Sequence, residues 1–294
     1  MKTLSRTLLG VCLAVSSSLI AMAQENPQGE MSVPQVLQIT REFTKPGKSG
    51  TVHEKTESAF VQAMTRAKWP THYLAMTSLS GKSCALFLTH YASFEAWEKD
   101  NQATEKNTAL FHALESADEA DGELLESVDQ SVYVFREDLS LRTMVDIAHM
   151  RYLEAFVIHV RPGYTREWTE LAKMVKEADA KALPDAHWGM YQQVFGGEGA
   201  TYLVLEARKT LAEVDRRSQE QAQFEAALGE EGMRKLGELD REVIASSSHQ
   251  LFAFNPRMSY VPEEWIKADP DFWKPKPAMA PPAKLATEEK KAKP

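Results

Sequence analysis

The sequence contains few cysteines, and the two that it has, Cys12 and Cys84, rule out several classes of protein. They do not form the paired spacing that zinc and iron–sulfur sites use. Cys12 lies in an N-terminal segment that we expect to be removed, which leaves Cys84 without a disulfide partner in the chain. Cys84 itself lies in an apolar, strand-like run, so we expect a buried and unreactive thiol. A disulfide-stabilised fold and a cysteine-based metal site are therefore excluded.

The sequence also lacks the common catalytic and phosphate-binding motifs. It has no G-x-S-x-G elbow, no P-loop and no H-E-x-x-H pair, and its glycine-rich segment 196–199 lies between two predicted strands, as in a hairpin turn. There is no long basic stripe, and the formal charge of −8 argues against binding to nucleic acid or anionic membrane surfaces. We predict no metal site, because the acidic segment 115–126 matches no EF-hand loop and is interpreted as a solvated helix end or loop.

The N-terminus has the order of regions that is typical of a secretory signal peptide. Lys2 and Arg6 precede an uncharged, mostly apolar run at 8–20, and Ala-Met-Ala follows at 21–23. We expect cleavage after Ala23 and export to the periplasm or the medium, with no membrane insertion of the cleaved chain. The alternative is an uncleaved membrane anchor, for which the run is slightly shorter than the span of about 20 residues that a bilayer needs.

The rest of the chain contains one pattern of elements twice. Residues 36–43 alternate in polarity and end at Lys-Pro-Gly (45–47), and residues 152–160 do the same and end at Arg-Pro-Gly (161–163). Each is followed by a helical pattern, two short strands around a glycine turn, a second helical region and an aromatic strand. This β-α-β-β-α-β order is the ferredoxin-like one. We predict modules at 35–140 and 151–260, a linker at 141–150, and an extension at 261–294 that ends in a disordered Pro- and Lys-rich tail.

The apolar pattern indicates how the modules pack. The runs 84–88 and 202–205 do not alternate, so we expect both faces of those strands to be buried. Helices cover one sheet face, and the second module is the obvious cover for the other. The first helix should bury an apolar face, which comprises Val52, Ala59, Phe60, Ala63, Met64 and Ala67.

A strand that ends in Lys/Arg-Pro-Gly before an amphipathic helix, within a β-α-β-β-α-β unit, resembles the dimeric α/β-barrel superfamily, which includes antibiotic-biosynthesis-monooxygenase-like and NIPSNAP-like proteins. The resemblance covers residues 36–140 and 152–259. It implies an α+β fold in which two tandem ferredoxin-like modules pack sheet to sheet as one α/β barrel within a single chain. Barrels of this type usually bind small molecules inside the barrel or between sheet and helices. No catalytic signature of a particular member is present, so no family active site is transferred.

Polar residues at strand positions are the candidates for a site in such a fold. A histidine there can act as a general base or ligate haem or a metal, although one at a strand end is commonly satisfied by backbone or water. The catalytic candidates are His72, His90, His159 and His187. The ligand-binding candidates are Arg41, Tyr73, Tyr91, Trp188 and Tyr191.

Three functions are compatible with the sequence. The first is an exported cell-envelope protein that binds a small apolar or aromatic ligand in the barrel. The second is a monooxygenase-like enzyme that is cofactor-free or uses haem, and the third is a structural or interaction protein. We predict no cofactor, with haem as the alternative. The sequence does not identify the ligand, decide whether the protein is an enzyme, or fix the oligomeric state.

Overall fold

The structure is a computed structural model, and it describes residues 33–274. The predicted signal peptide and nearly all of the predicted Pro- and Lys-rich tail lie outside these residues. Within them, no helix combines the length and the apolar character that crossing a membrane requires.

The first half of the described chain has the predicted order of strands and helices. Its second helical region is divided in two at Asn107, and Ser93 caps the first part by accepting a hydrogen bond from the Ala96 N–H, as predicted. The elements are β1 (Val36–Thr44), α1 (Thr51–Ala67), β2 (Tyr73–Ser78), β3 (Ala85–Tyr91), α2 (Phe94–Lys106), α3 (Thr108–Gly122) and β4 (Leu125–Phe135).

The second half repeats this order. Its long helix α5 is interrupted at Gly229, where φ is 71°, much as α2 and α3 are separated in the first half. Thr210 and Glu213 form a capping box shortly before α5. The elements are β5 (Tyr152–Val160), α4 (Thr165–Ala182), β6 (Gly189–Phe195), β7 (Thr201–Arg208), α5 (Arg217–Val243) and β8 (Ile244–Phe254), followed by the short helices α6 (Glu263–Ala268) and α7 (Pro270–Trp273).

All eight strands form one closed antiparallel barrel in the order β1-β3-β2-β8-β5-β7-β6-β4. Each half contributes four neighbouring strands, and the halves join where β2 pairs with β8 and β4 pairs with β6. The joins are short, so residues 125–131 of β4 pair only with β1 and residues 244–251 of β8 only with β5. The predicted fold class, an α/β barrel made from two β-α-β-β-α-β sets in one chain, is confirmed.

One part of the barrel interior is packed with apolar side chains. Leu86, Leu203 and Phe252 come from three different strands and are at most 1% exposed. Cys84 is also buried, as predicted. Toward the starts of β4 and β8 the inward-facing positions, such as Asp129 and Ser248, are polar and exposed, so this apolar packing occupies only part of the barrel.

The face that α1 buries differs from the predicted one. Val52 is 47% exposed, whereas His53 and Glu57 are each 3% exposed and point toward the sheet. Asp121, within the acidic segment that we interpreted as solvated, is also buried beside them. The predicted face is confirmed at Ala63, Met64 and Ala67 and wrong at Val52, and the acidic side chains of the segment are exposed as expected except at Asp121. The exceptions arise because the polar groups of His53, Glu57 and Asp121 contact one another and can therefore be buried.

Gly196, in the hairpin between β6 and β7, is required by its surroundings. Its φ is 81°, and a Cβ at this position would lie 2.2 Å from the Gln130 carbonyl oxygen of β4. We expect Gly196→Ala to lower the free energy of unfolding by about 3 kcal/mol, through clash and backbone strain, in urea denaturation. Gly199→Ala is the control, because a Cβ there meets nothing within 4 Å. Equal losses in the two variants would contradict the prediction.

Candidate functional site

A cavity of about 890 Å³ lies between helices α4 and α5 and the outer face of the sheet in the second half. Its floor is formed by outward-facing residues of β5 and β7, including Phe156, Ile158 and Val204. Helix α4 contributes Trp168 and Val175 to the opposite wall. The volume is within the range of pockets that bind small molecules.

One wall of the cavity is apolar and aromatic and contains an unpaired hydrogen-bond donor. Trp168 is 2% exposed, and its ring lies 5.0 Å from that of Tyr202. Neither the Trp168 Nε1–H nor the Tyr202 hydroxyl has a hydrogen-bond partner within residues 33–274. Buried donors are normally satisfied, but this nitrogen is itself covered by the wall, so an acceptor atom of a ligand would reach it only after a movement of the wall.

At the polar end of the cavity, one guanidinium lies between two carboxylates. Arg208 Nε donates to Glu154 Oε1 at 2.9 Å, and Arg208 Nη2 lies 2.8 Å from Glu206 Oε2. The other oxygen of Glu154 accepts a hydrogen bond from Arg217 and lies 2.7 Å from His249 Nε2. Glu154 is thus the centre of an ion-pair network, and its side chain is 2% exposed.

The two carboxyl groups beside Arg208 differ in their acidity. Burial opposes ionisation of Glu154, but hydrogen bonds from Arg208 and Arg217 outweigh it and hold the pKa of Glu154 below its usual range. Burial raises the pKa of Glu206 to about 7, because the attraction of Arg208 is smaller than the cost of burial and Glu154 adds repulsion. Burial, followed by repulsion from Glu220, also raises the pKa of Asp179 to about 6.

This arrangement can hold a ligand with a flat apolar body and an oxygen atom. The apolar wall would cover the body, and the Trp168 N–H would donate to the oxygen. Glu206 lines the same cavity, and a carboxyl group with a pKa near neutrality can accept or release a proton at physiological pH.

The histidines of this cavity do not fit haem, which needs an axial ligand that is free to bind iron. His187 lines the cavity, but its Nδ1 and Nε2 each lie 2.9 Å from a carbonyl oxygen, of Asp185 and Ala207 respectively. The Nε2 of His249 is occupied by Glu154.

Two of the nine candidate residues that we named from the sequence, His187 and Trp188, line the cavity. The Trp188 Nε1–H donates to the Leu139 carbonyl oxygen at 3.1 Å, so its ring is a fixed part of the wall. Both residues lie at the entry to β6, where sequence reasoning placed them. Their hydrogen bonds to backbone carbonyls indicate that they shape the cavity.

Four further candidates face the barrel interior, as their strand register shows. His90 pairs with Leu37, and burial lowers the pKa of His90. His159 pairs with Thr201, whose Oγ1 lies 2.9 Å from His159 Nδ1. These side chains lie on the opposite face of the barrel wall from the cavity. The four are Arg41, His90, His159 and Tyr191.

The remaining three candidates belong to the first half. His72 stacks on Tyr260 with ring centroids 4.8 Å apart, and Tyr91 stacks on Trp97 at 5.7 Å. Tyr73 lies on the helix-covered face of the sheet. Among the described residues, the four candidate histidines therefore do not converge on one place, and only His187 borders the cavity.

Sequence reasoning missed the residues that define the polar end of the cavity. Glu154 is the single carboxylate in the otherwise apolar strand β5, and this was the one visible indication. Arg208 and His249 come from β7 and β8, and only the pairing of these strands with β5 brings them to Glu154.

Comparison with known proteins gives matches among solved structures only. Neither protein-family models nor curated protein sequences match the chain. A structure described as that of a candidate monooxygenase from Fusobacterium nucleatum is similar with a TM-score of 0.51 and 13% identity, over 76% of this chain and 94% of that one. An anthrone oxidase-like protein has a TM-score of 0.47 and 13% identity, over 76% and 94% of the chains. A candidate chlorite dismutase has a TM-score of 0.46 and 11% identity, over 77% and 97%.

At these identities the likeness shows the fold. The Fusobacterium structure is matched over nearly its whole length, and the order β-α-β-β-α-β occurs twice in the barrel described above. The chain has the fold of the dimeric α/β-barrel superfamily, with both halves of the barrel supplied by one polypeptide.

Proposed function

We propose that the protein binds a small, flat, apolar or aromatic molecule that carries a carbonyl or hydroxyl oxygen. The observation that supports this most directly is the cavity of about 890 Å³, whose wall includes the apolar and aromatic side chains of Phe156, Trp168 and Val204. The apolar wall would contribute most of the affinity through burial of the ligand's surface, and the indole N–H would select ligands with an acceptor.

Filling the cavity is expected to abolish binding. Val175 lines the cavity, so Val175→Phe places a ring in the space that the ligand would occupy. With naphthalene and 1-naphthol as probes and tryptophan fluorescence as the readout, we expect affinity to fall more than about 10-fold. Val128→Phe is the control, because Val128 is exposed on β4 and does not line the cavity. Equal binding by Val175→Phe and wild type would exclude this cavity as the site.

The role of the indole N–H is tested by comparing the two probes. Trp168→Phe keeps a ring in the wall and removes the donor, so we expect 1-naphthol to bind about 3- to 10-fold more weakly and naphthalene to be little affected. A similar loss for both probes would show that Trp168 acts through packing alone.

A monooxygenase-like reaction without a cofactor is the second candidate function, and Glu206 is the observation that favours it. Its carboxyl group, with a pKa of about 7, could remove a proton from an activated CH₂ group of a bound aromatic substrate. Dissolved dioxygen would be the oxidant, so that CH₂ and O₂ give C=O and H₂O. Oxygen uptake in the presence of a ligand would distinguish this enzyme from a binding protein.

We also propose that the protein is exported. The proposal rests on the N-terminal order of basic residues, uncharged run and Ala-Met-Ala at 21–23. Mass spectrometry of the protein from its native cells is expected to find Gln24 at the N-terminus. An intact N-terminus in the cytosolic fraction would contradict export.

A further inference from the structure

A second buried polar group lies in the first half, far along the chain from the cavity residues. His53 Nε2 lies 3.1 Å from Glu42 Oε2, 3.3 Å from Asp121 Oδ1 and 3.8 Å from Glu57 Oε1. One ligand atom from each of the four residues lies within 4.8 Å of all the others. His53 and Glu57 are four residues apart on α1, which places them on the same helical face, while Glu42 comes from β1 and Asp121 from the end of α3.

The charges of this group are not balanced by the protein. Three carboxylates surround one imidazole, and His53, Glu57 and Asp121 are each at most 3% exposed. Within residues 33–274, His53 is the only salt-bridge partner of the three carboxylates. Buried anions are costly unless they are paired with cations or coordinate a metal ion. The group therefore needs further positive charge, which bound protons or a metal ion would supply.

A fifth polar atom lies on the same side of the sheet. The Tyr73 hydroxyl is buried and has no hydrogen-bond partner among the described residues. Its ring packs against a group that contains Ala85, the residue that pairs with Glu42 in the barrel. Burial, followed by the negative charges of Glu57 and Glu42, raises the pKa of Tyr73. This oxygen lies on the same face of the sheet as Glu42 and is a further buried polar atom without a partner among the described residues.

We propose that His53, Glu42, Glu57 and Asp121 bind one divalent first-row transition-metal ion. Bonds of about 2.0–2.1 Å in a tetrahedral site place neighbouring ligand atoms about 3.4 Å apart, which lies within the 3.1–3.8 Å that separate His53 Nε2 from the three carboxylates. One imidazole with carboxylates suits Zn²⁺ or a similar ion, whereas Ca²⁺ and Mg²⁺ prefer oxygen ligands alone. The Tyr73 hydroxyl is the additional group that a metal-bound water could meet.

The ion would have a structural role, and it would be present in the first half only. Its ligands come from β1, α1 and α3, so one ion ties two helices to the sheet. Alignment of Pro46 with Pro162 matches Glu42 with Ile158, an apolar residue of the cavity floor in the second half. The layer between the sheet and the helices would thus hold a metal ion in the first half and a ligand cavity in the second half.

Metal binding is tested on the purified protein after treatment with a chelator. Isothermal titration is expected to find one Zn²⁺ per chain at this site and a rise in the thermal unfolding temperature. His53→Gln and Glu57→Gln are expected to weaken binding more than about 100-fold, since each removes a ligand. Glu119→Gln is the control, because Glu119 is an exposed member of the same acidic segment. We expect Ca²⁺ and Mg²⁺ to have no effect.

A measurement on the wild type keeps the test valid if a variant fails to fold. Co²⁺ in place of Zn²⁺ is expected to give the visible absorption bands of a four-coordinate site, and pulsed electron paramagnetic resonance is expected to detect one coupled histidine nitrogen. Failure of Zn²⁺, Co²⁺ and Mn²⁺ to bind would overturn the proposal. The three carboxyl groups would then form a hydrogen-bonded network with His53 in which bound protons balance the charge. Binding that Glu57→Gln does not weaken would place the metal elsewhere and overturn it equally.

Discussion

Replacing Glu154 by alanine is expected to lower the free energy of unfolding by about 3–5 kcal/mol. Glu154 is the shared acceptor for Arg208, Arg217 and His249, and its side chain is 2% exposed. Its removal leaves the buried Arg208 guanidinium with Glu206 alone, a carboxyl group that burial keeps partly protonated near neutral pH. A buried charge without full compensation is among the most destabilising defects that a single substitution can create.

The control for this prediction is an ion pair on the surface. Glu170 and Lys235 are 2.6 Å apart, but both side chains are about half exposed, so Glu170→Ala is expected to cost less than about 1 kcal/mol. Urea denaturation of both variants measures the difference. If Glu154→Ala cost no more than Glu170→Ala, the network at the polar end of the cavity would contribute little to stability.

A double substitution tests whether Glu154→Ala is unstable because the ion pair with Arg208 is lost or because the Arg208 guanidinium stays buried without a partner. Glu154→Leu combined with Arg208→Met removes both charges and keeps most of the side-chain volume. We expect this variant to recover much of the stability lost in Glu154→Ala, because buried ion pairs can be replaced by apolar groups at little cost. Continued instability would mean that the hydrogen bonds to Arg217 and His249 carry the stability instead.

The fold could be predicted from the sequence because its determinants are local and occur twice. Alternation at 36–43 and 152–160, each followed by Pro-Gly, located both first strands, and the continuous apolar runs at 84–88 and 202–205 indicated strands buried on two faces. A strand buried on both faces needs a cover on each side. This requirement led directly to a barrel made of two halves.

The site could be predicted only in part because it depends on which strands become neighbours. His187 and Trp188 were found since a polar or aromatic residue at a strand entry is visible locally. Glu154 meets Arg208 and His249 through the register of β5 with β7 and β8, and a one-residue change of register would turn each side chain to the other face. No local pattern encodes that register.

The buried group around His53 was missed for a different reason. The four-residue spacing of His53 and Glu57 is visible in the sequence, but a helix is expected to bury its apolar face. That expectation holds when polar groups lack partners in the interior. Here Glu42 and Asp121 supply partners from distant segments, so the polar face of α1 turns inward.

Glu206→Gln is expected to stabilise the protein by about 2 kcal/mol at pH 8 and to have almost no effect at pH 4.5. The pKa of Glu206 is about 7 in the folded protein, against an ordinary value of 4.5. Between these pH values the folded state holds the proton more tightly than the unfolded state does, so stability falls as the pH rises through this window. The whole shift corresponds to about 3 kcal/mol, and the 16% exposure of the side chain reduces the expected effect.

Urea denaturation of wild type and variant at pH 4.5, 6 and 8 measures this difference. Asp179→Asn is the informative comparison, since the pKa of Asp179 is about 6 in the folded protein against an ordinary value of 3.8. The gain in stability from Asp179→Asn should therefore reach its full size at a lower pH than the gain from Glu206→Gln. Glu170→Gln, on the exposed surface, should show no such increase with pH. A stability difference between Glu206→Gln and wild type that is constant from pH 4.5 to 8 would contradict the raised pKa.

The same titration distinguishes the two proposed functions. If Glu206 removes a proton from a bound substrate, oxygen uptake should rise as the pH passes through about 7, where the carboxylate forms, and should disappear in Glu206→Gln. Because that variant is expected to be more stable at pH 8, its inactivity could not be attributed to unfolding. If Glu206 changes stability with pH but no ligand induces oxygen uptake, the raised pKa reflects burial alone, and the cavity serves to bind its ligand.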